Sequence, residues 1–162
     1  EAIFSGLDAR GLIAGSRVLD LFAGSGALGL EAASRGAATV TLVEKNASSA
    51  SIARHNARTV VSAAPRQPPM IAVRAQTTQA FLAAPSDGFD LVFVDPPYSH
   101  DTDDLERDLH ALVTHLSHDS LVVVERSARS PEPRWPHAVV RERVKKYGDT
   151  AIFTASLDIT HP

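Results

Sequence analysis

The chain contains no cysteine, and this absence limits both its structure and its chemistry. Without cysteine there is neither a disulfide framework nor a metal site built from thiolates. No apolar run approaches the roughly 20 residues that a membrane-spanning helix needs, and no signal-peptide pattern opens the chain. We therefore expect a soluble, cytoplasmic protein with no membrane partner.

The charge balance is slightly acidic, with a formal net charge of −3 over 162 residues. This balance argues against a protein that coats nucleic acid through bulk electrostatics. Hydrophobic residues make up 44% of the chain, which fits one globular domain over residues 1–162, and we expect a monomer. Basic residues nevertheless cluster in two places, and each cluster is either a solvated face or a local patch for nucleic acid: Arg54, Arg58, Arg66 and Arg74, and Arg141, Arg143, Lys145 and Lys146.

Strand and helix patterns alternate along the chain, which is typical of βαβ units and a parallel sheet. The patterns predict helices over residues 1–7, 27–34, 46–62, 77–84 and 101–116, with Asn46 as a helix cap. They predict strands over residues 16–22, 39–44, 70–74, 89–95 and 120–125, followed by a hairpin over 138–144 and 150–156. The predicted fold is α/β: a mostly parallel seven-stranded sheet with helices on both faces and an antiparallel C-terminal hairpin.

A glycine turn follows the first predicted strand, where residues 24–29 match G-x-G-x-x-G. On its own this motif suggests a dinucleotide-binding domain. Asp20 lies just before the turn, however, and its carboxylate would repel a pyrophosphate but attract a cation. S-adenosylmethionine has a sulfonium and an ammonium group, so it fits better than NAD. The predicted cofactor contacts around this turn are Asp20, Phe22, Ala23, Gly24, Ser25 and Gly26.

Two further stretches are candidates for contacts with an adenosine. Glu44 ends the second predicted strand, where a carboxylate can accept hydrogen bonds from both ribose hydroxyls. Lys45 and Asn46 follow it and complete this candidate contact. After the third strand, Gln76 is either an amide contact for the adenine or a plain loop residue.

The most distinctive stretch is Asp95-Pro96-Pro97-Tyr98, which follows the apolar run 89–94. Neither proline can donate a backbone hydrogen bond, and each fixes its own φ, so the turn is rigid. The carboxylate of Asp95 and the carbonyl of Pro96 can accept N–H bonds, and the ring of Tyr98 can stack. The four residues Asp95, Pro96, Pro97 and Tyr98 therefore predict a catalytic site for a planar ring with an amino group.

The sequence shows no motif for a metal site or for a serine hydrolase. None of the seven histidines has a recognised metal-binding spacing, and Ser25 is not in a G-x-S-x-G pattern. We expect no metal.

Taken together, these motifs resemble those of the class I, Rossmann-like amino-methyltransferases, and more narrowly of the RsmD-type family. Residues 18–26, Glu44 and 95–98 are similar to that family, as are 26–32 and 146–150. The resemblance implies transfer of a methyl group from S-adenosylmethionine to the N2 amino group of a guanine in 16S ribosomal RNA of the small subunit. Family members usually have an N-terminal extension, and we expect that this chain lacks it.

Other functions remain open from the sequence. An Asp-Pro-Pro-Tyr motif also fits methylation of DNA or of a protein glutamine, although such enzymes usually need additional target-recognition segments. An NAD-dependent oxidoreductase is the alternative from another enzyme class. A binding domain that has kept the fold without catalysis is a third possibility, and the intact residues 95–98 argue against it.

Overall fold

A computed structural model describes residues 2–158 of the chain, which form alternating strands and helices. The strands are β1 (Arg17–Asp20), β2 (Thr39–Val43), β3 (Met70–Arg74), β4 (Phe89–Val94), β5 (Leu116–Ser127), β6 (Val139–Tyr147) and β7 (Thr150–Leu157). The helices are α1 (Ala2–Ala9), α2 (Ala27–Ser34), α3 (Ala47–Ser62), α4 (Thr78–Ala83) and α5 (Thr102–Leu112), with a 3₁₀ turn at Val113–His115.

One sheet contains all seven strands of the described residues 2–158, in the order β3-β2-β1-β4-β5-β7-β6. The pairs among β1 to β5 are parallel, whereas β7 is antiparallel to both β5 and β6. The predicted Rossmann-like sheet and its antiparallel C-terminal hairpin are thus confirmed. Because β1, β2 and β4 are parallel neighbours, their carboxyl ends meet at one edge of the sheet.

Each face of the sheet has its own apolar core. In β4, Leu91 and Phe93 point to the face that packs α1, α2 and α3, whereas Val92 and Val94 point to the face of α5. This alternation follows from the two-residue period of a strand. The central strands are apolar on both sides because helices cover both of their faces, as parallel sheets require.

Polar caps fix where three of the helices begin. The side chains of Asn46, Thr77 and Asp101 accept hydrogen bonds from backbone N–H groups three residues later, at the starts of α3, α4 and α5. Such caps pair N–H groups that have no partner within the helix. The prediction of Asn46 as a cap is confirmed.

The boundary between α5 and β5 was predicted wrongly. The helix expected over 101–116 ends at Leu112, and β5 begins at Leu116 rather than at residue 120. Leucines at positions 105, 109, 112 and 116 keep a helical spacing across the real boundary, so their pattern does not reveal it. His115 holds the intervening turn, because its buried ring bonds the carbonyl of Leu82 at 2.9 Å and the hydroxyl of Ser86.

Candidate active site

Three acidic residues lie at the carboxyl ends of three neighbouring strands. Asp20 is the last residue of β1, Glu44 follows β2 and Asp95 follows β4. Since β1 lies between β2 and β4 in the sheet, the fold brings the three positions to one edge. Ligands of open α/β sheets bind at this edge, outside the carboxyl ends of the strands.

The glycine turn between β1 and α2 adopts a backbone that favours glycine. Gly24 and Gly26 have φ of 57° and 94°, in the left-handed region that residues with a Cβ rarely adopt. The N–H of Gly26 donates to the carbonyl of Ala23, and the N–H of Ala23 donates to the carbonyl of Val43. The turn is thereby tied to the end of β2. The carbonyl of Ser25 accepts a hydrogen bond from the side chain of Asn56.

Glu44 joins the glycine turn to the start of α3. Its Oε1 accepts from the N–H of Gly24 at 2.9 Å, and its Oε2 accepts from the N–H of Asn46 at 2.8 Å. These bonds hold the half-buried carboxylate in one orientation, and each oxygen keeps a further lone pair for a ligand. The side-chain carbonyl of Asn46 already accepts from the N–H of Ser49, so Asn46 serves as a helix cap at this position.

Asp20 is buried beneath the other acids, with an exposed fraction of 1%. Its Oδ2 accepts from the N–H of Gly29 at 3.2 Å, whereas its Oδ1 has no hydrogen-bond partner. The pKa of Asp20 is raised to about 7, and burial is the main cause. The hydrogen bond from Gly29 opposes this shift, whereas the nearby charges of Asp95 and Glu44 act in the same direction as burial. A cation bound nearby would stabilise the ionised form of this buried carboxyl group.

A cavity of about 560 Å³ opens along this edge of the sheet. Of the predicted site residues, Phe22, Gly24, Glu44, Lys45, Asp95 and Pro97 line it. Thr77, Thr78 and Gln79 line it as well. The predicted cofactor contacts that do not line this cavity are Asp20, Ala23, Ser25, Gly26, Asn46 and Gln76. The hydroxyl of Thr78 donates to the carbonyl of Leu21, which anchors the start of α4 to the end of β1.

A second cavity of about 420 Å³ lies on the other side of the Asp-Pro-Pro-Tyr turn. Asp95, Pro97 and His100 line both cavities, so the turn forms the wall between them. Pro96 and Tyr98 line the second cavity, and Tyr98 is fully exposed. The carbonyl of Pro97 accepts from the N–H of His100, whereas no hydrogen bond within residues 2–158 uses the carbonyl of Pro96.

Asp95 has a neighbouring acid that the sequence motif did not reveal. Val94 pairs with Val124 in the sheet, so Asp95 lies beside Glu125 at the end of the pairing between β4 and β5. The pKa of Asp95 is raised to about 6, mainly by partial burial of the carboxyl group and in addition by the charge and the hydrogen bond of Glu125. Near neutral pH this carboxylate is mostly ionised and able to accept N–H bonds.

A histidine–aspartate pair closes the cavities from the side of α5. Nε2 of His100 lies 2.6 Å from Oδ2 of Asp108, and its ring packs edge-on against Phe22 with centroids 5.1 Å apart. The carbonyl of His100 accepts from Arg126. Asp108 is buried, and this burial raises its pKa although His100 opposes the shift. Only tertiary contacts create this pair, and no sequence motif indicates it.

Groups that would hold a metal ion are not found within residues 2–158, where no three His, Cys, Asp or Glu side chains have a suitable arrangement. Over the same part of the chain, no helix has the length and apolar character needed to span a bilayer.

A protein family and several bacterial proteins are similar to most of this chain. The family described as Conserved hypothetical protein 95 matches residues 1–155. Ribosomal RNA small subunit methyltransferase D of Escherichia coli (strain K12) is 33% identical over 142 residues, which are 86% of this chain and 68% of that protein. YlbH of Bacillus subtilis (strain 168), described as a candidate rRNA methyltransferase, is 32% identical over 146 residues, which are 85% of this chain and 74% of that protein.

A solved structure of similar architecture supports the same grouping. The protein yhhF from Escherichia coli, described as a candidate methyltransferase, aligns with a TM-score of 0.83 and 30% identity. The alignment covers 97% of this chain and 84% of that chain. With a family match over nearly all of its residues, and a sheet edge that gathers the expected motifs, the chain belongs to the Conserved hypothetical protein 95 family of RsmD-type methyltransferases.

Proposed function

We propose that the protein transfers a methyl group from S-adenosylmethionine to the exocyclic N2 amino group of a guanine in 16S ribosomal RNA. The observation that supports this function most strongly is the position of Asp95 and Pro97 in the wall shared by two cavities. A donor in one cavity and a base in the other would meet at this wall. An RNA substrate of this kind would also make the protein cytoplasmic.

The first cavity fits S-adenosylmethionine better than a dinucleotide. The unpaired, buried Oδ1 of Asp20 and the neighbouring carboxyl groups of Glu44 and Asp95 favour a cation and disfavour a pyrophosphate. Glu44 is held where its free lone pairs can accept the ribose hydroxyls. When bound, the cofactor supplies a methyl group on a positively charged sulfur, which is reactive towards nucleophiles.

The residues of the turn would orient the amino nitrogen. The lone pair of a guanine amino group is delocalised into the ring, so the nitrogen is a weak nucleophile. Hydrogen bonds to the carboxylate of Asp95 and the free carbonyl of Pro96 favour a pyramidal nitrogen whose lone pair points out of the ring plane. The exposed ring of Tyr98 would stack on the base. In this scheme the rate enhancement comes from the orientation of the two reactants and from the placement of charges around them.

The proton of the methylated nitrogen needs an acceptor after transfer. The carboxylate of Asp95 already contacts this N–H in the proposed arrangement, and its pKa of about 6 suits it to take the proton and release it to water. The second cavity is open to solvent beside Tyr98, which is fully exposed. An RNA base must be splayed out of its stack to enter such a site, at a cost of a few kcal/mol unless it already lies in a loop.

The test is transfer of labelled methyl groups to small ribosomal subunits that lack their modifications, with identification of the nucleoside formed. We expect N2-methylguanosine from the wild-type chain. Asp95→Ala should lower the transfer rate about 100-fold or more while cofactor affinity stays within a few-fold, because the carboxylate contacts the substrate. Asp87→Ala, an exposed acid just before the other end of β4, is the control with the same charge change.

Two outcomes would contradict the proposal. Equal loss of cofactor binding and of transfer in Asp95→Ala would mean that the carboxylate acts on the cofactor. If the protein binds the cofactor but labels no nucleoside of the ribosomal RNA, this RNA is not its substrate. DNA or a protein glutamine would then be tested as the methyl acceptor.

A further inference from the structure

A groove of about 460 Å³ lies between α1 and the β6–β7 hairpin, away from the cofactor cavity. Its walls are Arg10, which directly follows α1, and three residues of β6, Arg143, Lys145 and Tyr147. Ile3 and Ile152 line the floor on the α1 face of the sheet. The groove therefore combines basic side chains, an aromatic ring and an apolar base.

The register of the hairpin places the basic residues on one face. Arg143 pairs with Thr154 and Lys145 pairs with Ile152, and both partners also line the groove. An irregularity in the pairing between Arg141 and Arg143 shifts the alternation of the strand. Arg141 instead forms an ion pair with Glu132 at 2.9 Å. Of the four clustered basic residues near the C-terminus, Arg143 and Lys145 therefore line the groove.

The basic charge of this groove is available to a ligand. Arg10 forms a long ion pair of 3.5 Å with Glu142, which is the one acid among the described residues that line the groove. Arg143 and Lys145 are exposed, and within residues 2–158 neither has an ion-pair partner. A local excess of positive charge in a chain of net charge −3 is a site for an anion.

The groove lies close to the edge of the sheet that contains Asp95. Ile3 and Ile152 also line a small cavity of about 30 Å³ whose other walls include Asp95 and Glu125. Strand β6 runs in the same direction as β4, so it ends with Tyr147 at the edge where Asp95 lies. The turn after Tyr147 continues to Asp149 and Thr150, which line the second cavity with Tyr98.

We infer that this groove binds the ribose-phosphate backbone of the substrate RNA next to the base that enters the second cavity. The inference rests on the proposed function in taking the substrate to be RNA. Arg143 and Lys145 pair with phosphates, and Tyr147, which is 42% exposed, offers a face on which a neighbouring base stacks. Contacts of this kind orient the RNA without reading its sequence.

The test compares two double variants that remove the same charge. Arg143→Gln with Lys145→Gln changes the groove, whereas Arg107→Gln with Arg134→Gln changes two exposed arginines that line neither the groove nor the two larger cavities. Binding of unmodified 16S ribosomal RNA is measured by fluorescence anisotropy at several salt concentrations, alongside calorimetric binding of S-adenosylmethionine. The groove variant should bind RNA at least tenfold more weakly and show a salt slope smaller by about one to two. Both variants should keep cofactor affinity.

The outcomes separate this inference from the proposed function. The inference that the groove binds RNA would be overturned by equal RNA affinity and salt slope in the two double variants. It would also be overturned if the wild-type chain did not bind RNA at low salt. If the groove variant also loses cofactor binding, the single variants Arg143→Gln and Lys145→Gln replace it, and wild-type RNA affinity in both would overturn the inference. RNA binding through the groove without formation of N2-methylguanosine would support the groove and reject guanine methylation.

Discussion

Asp20 is a buried carboxyl group whose protonation is coupled to folding. Burial raises its pKa from the usual 3.8 to about 7. Between these two values the folded state binds a proton that the unfolded state has released, so stability falls as pH rises from about 4 to about 7. The separation of about three pH units corresponds to a loss on the order of 4 kcal/mol in the free energy of unfolding.

Replacing Asp20 by Asn should remove this pH dependence. An amide can still accept the hydrogen bond from Gly29 and has no charge to bury. Urea unfolding of both proteins between pH 5 and pH 8 should show the variant gaining about 2 to 3 kcal/mol relative to wild type. Asp103→Asn, an exposed acid of α5, should follow the wild-type curve. A constant difference between Asp20→Asn and wild type would mean that Asp20 is ionised in the folded protein.

At the scale of elements, two helical glycines have opposite roles. A Cβ on Gly29 of α2 would lie 2.4 Å from Cδ2 of Leu42 and 3.1 Å from Cγ1 of Val40, whereas a Cβ on Gly6 of α1 would meet nothing within 4 Å. Gly29→Ala should therefore destabilise the fold by about 1 to 3 kcal/mol through overpacking against β2. Gly6→Ala should stabilise it by about 0.5 to 1 kcal/mol, since alanine loses less backbone entropy.

Chemical unfolding of the two glycine variants and wild type measures both effects. Opposite signs support close contact between α2 and β2. Stabilisation by both substitutions would mean that α2 can shift away from the sheet without loss. Because Asp20 accepts the N–H of Gly29, a shift of α2 would also appear as weaker cofactor binding in Gly29→Ala.

The elements that sequence patterns predicted well are those with local causes. The cap Asn46 and the apolar run of β4 act within a few residues, so their patterns indicate the structure directly. The end of α5 depends instead on the contacts that buried His115 makes with residues about 30 positions away. Polar residues at the start of β5 gave no strand signal.

The candidate site shows the same division. The sequence placed Asp20, Glu44 and Asp95 at or near the ends of predicted strands in a parallel sheet, and parallel neighbours bring equivalent ends together. The pair of His100 with Asp108, and Glu125 beside Asp95, arise from contacts between separate elements that no short motif records.

The molecule as a whole should respond to its cofactor by mass action. A ligand that binds only the folded state at 100 times its Kd adds about 2.7 kcal/mol to the free energy of unfolding. For a domain of 162 residues this corresponds to a rise in Tm of roughly 5 to 11 °C. We expect this rise with S-adenosylmethionine and little change with NAD at the same concentration, because the acids at the sheet edge repel a pyrophosphate. Thermal unfolding of wild type and of Glu44→Gln, whose shift should be smaller, measures the effect. A rise with NAD and none with S-adenosylmethionine would contradict the methyl-transfer function and favour an oxidoreductase, because the glycine turn would then serve a dinucleotide.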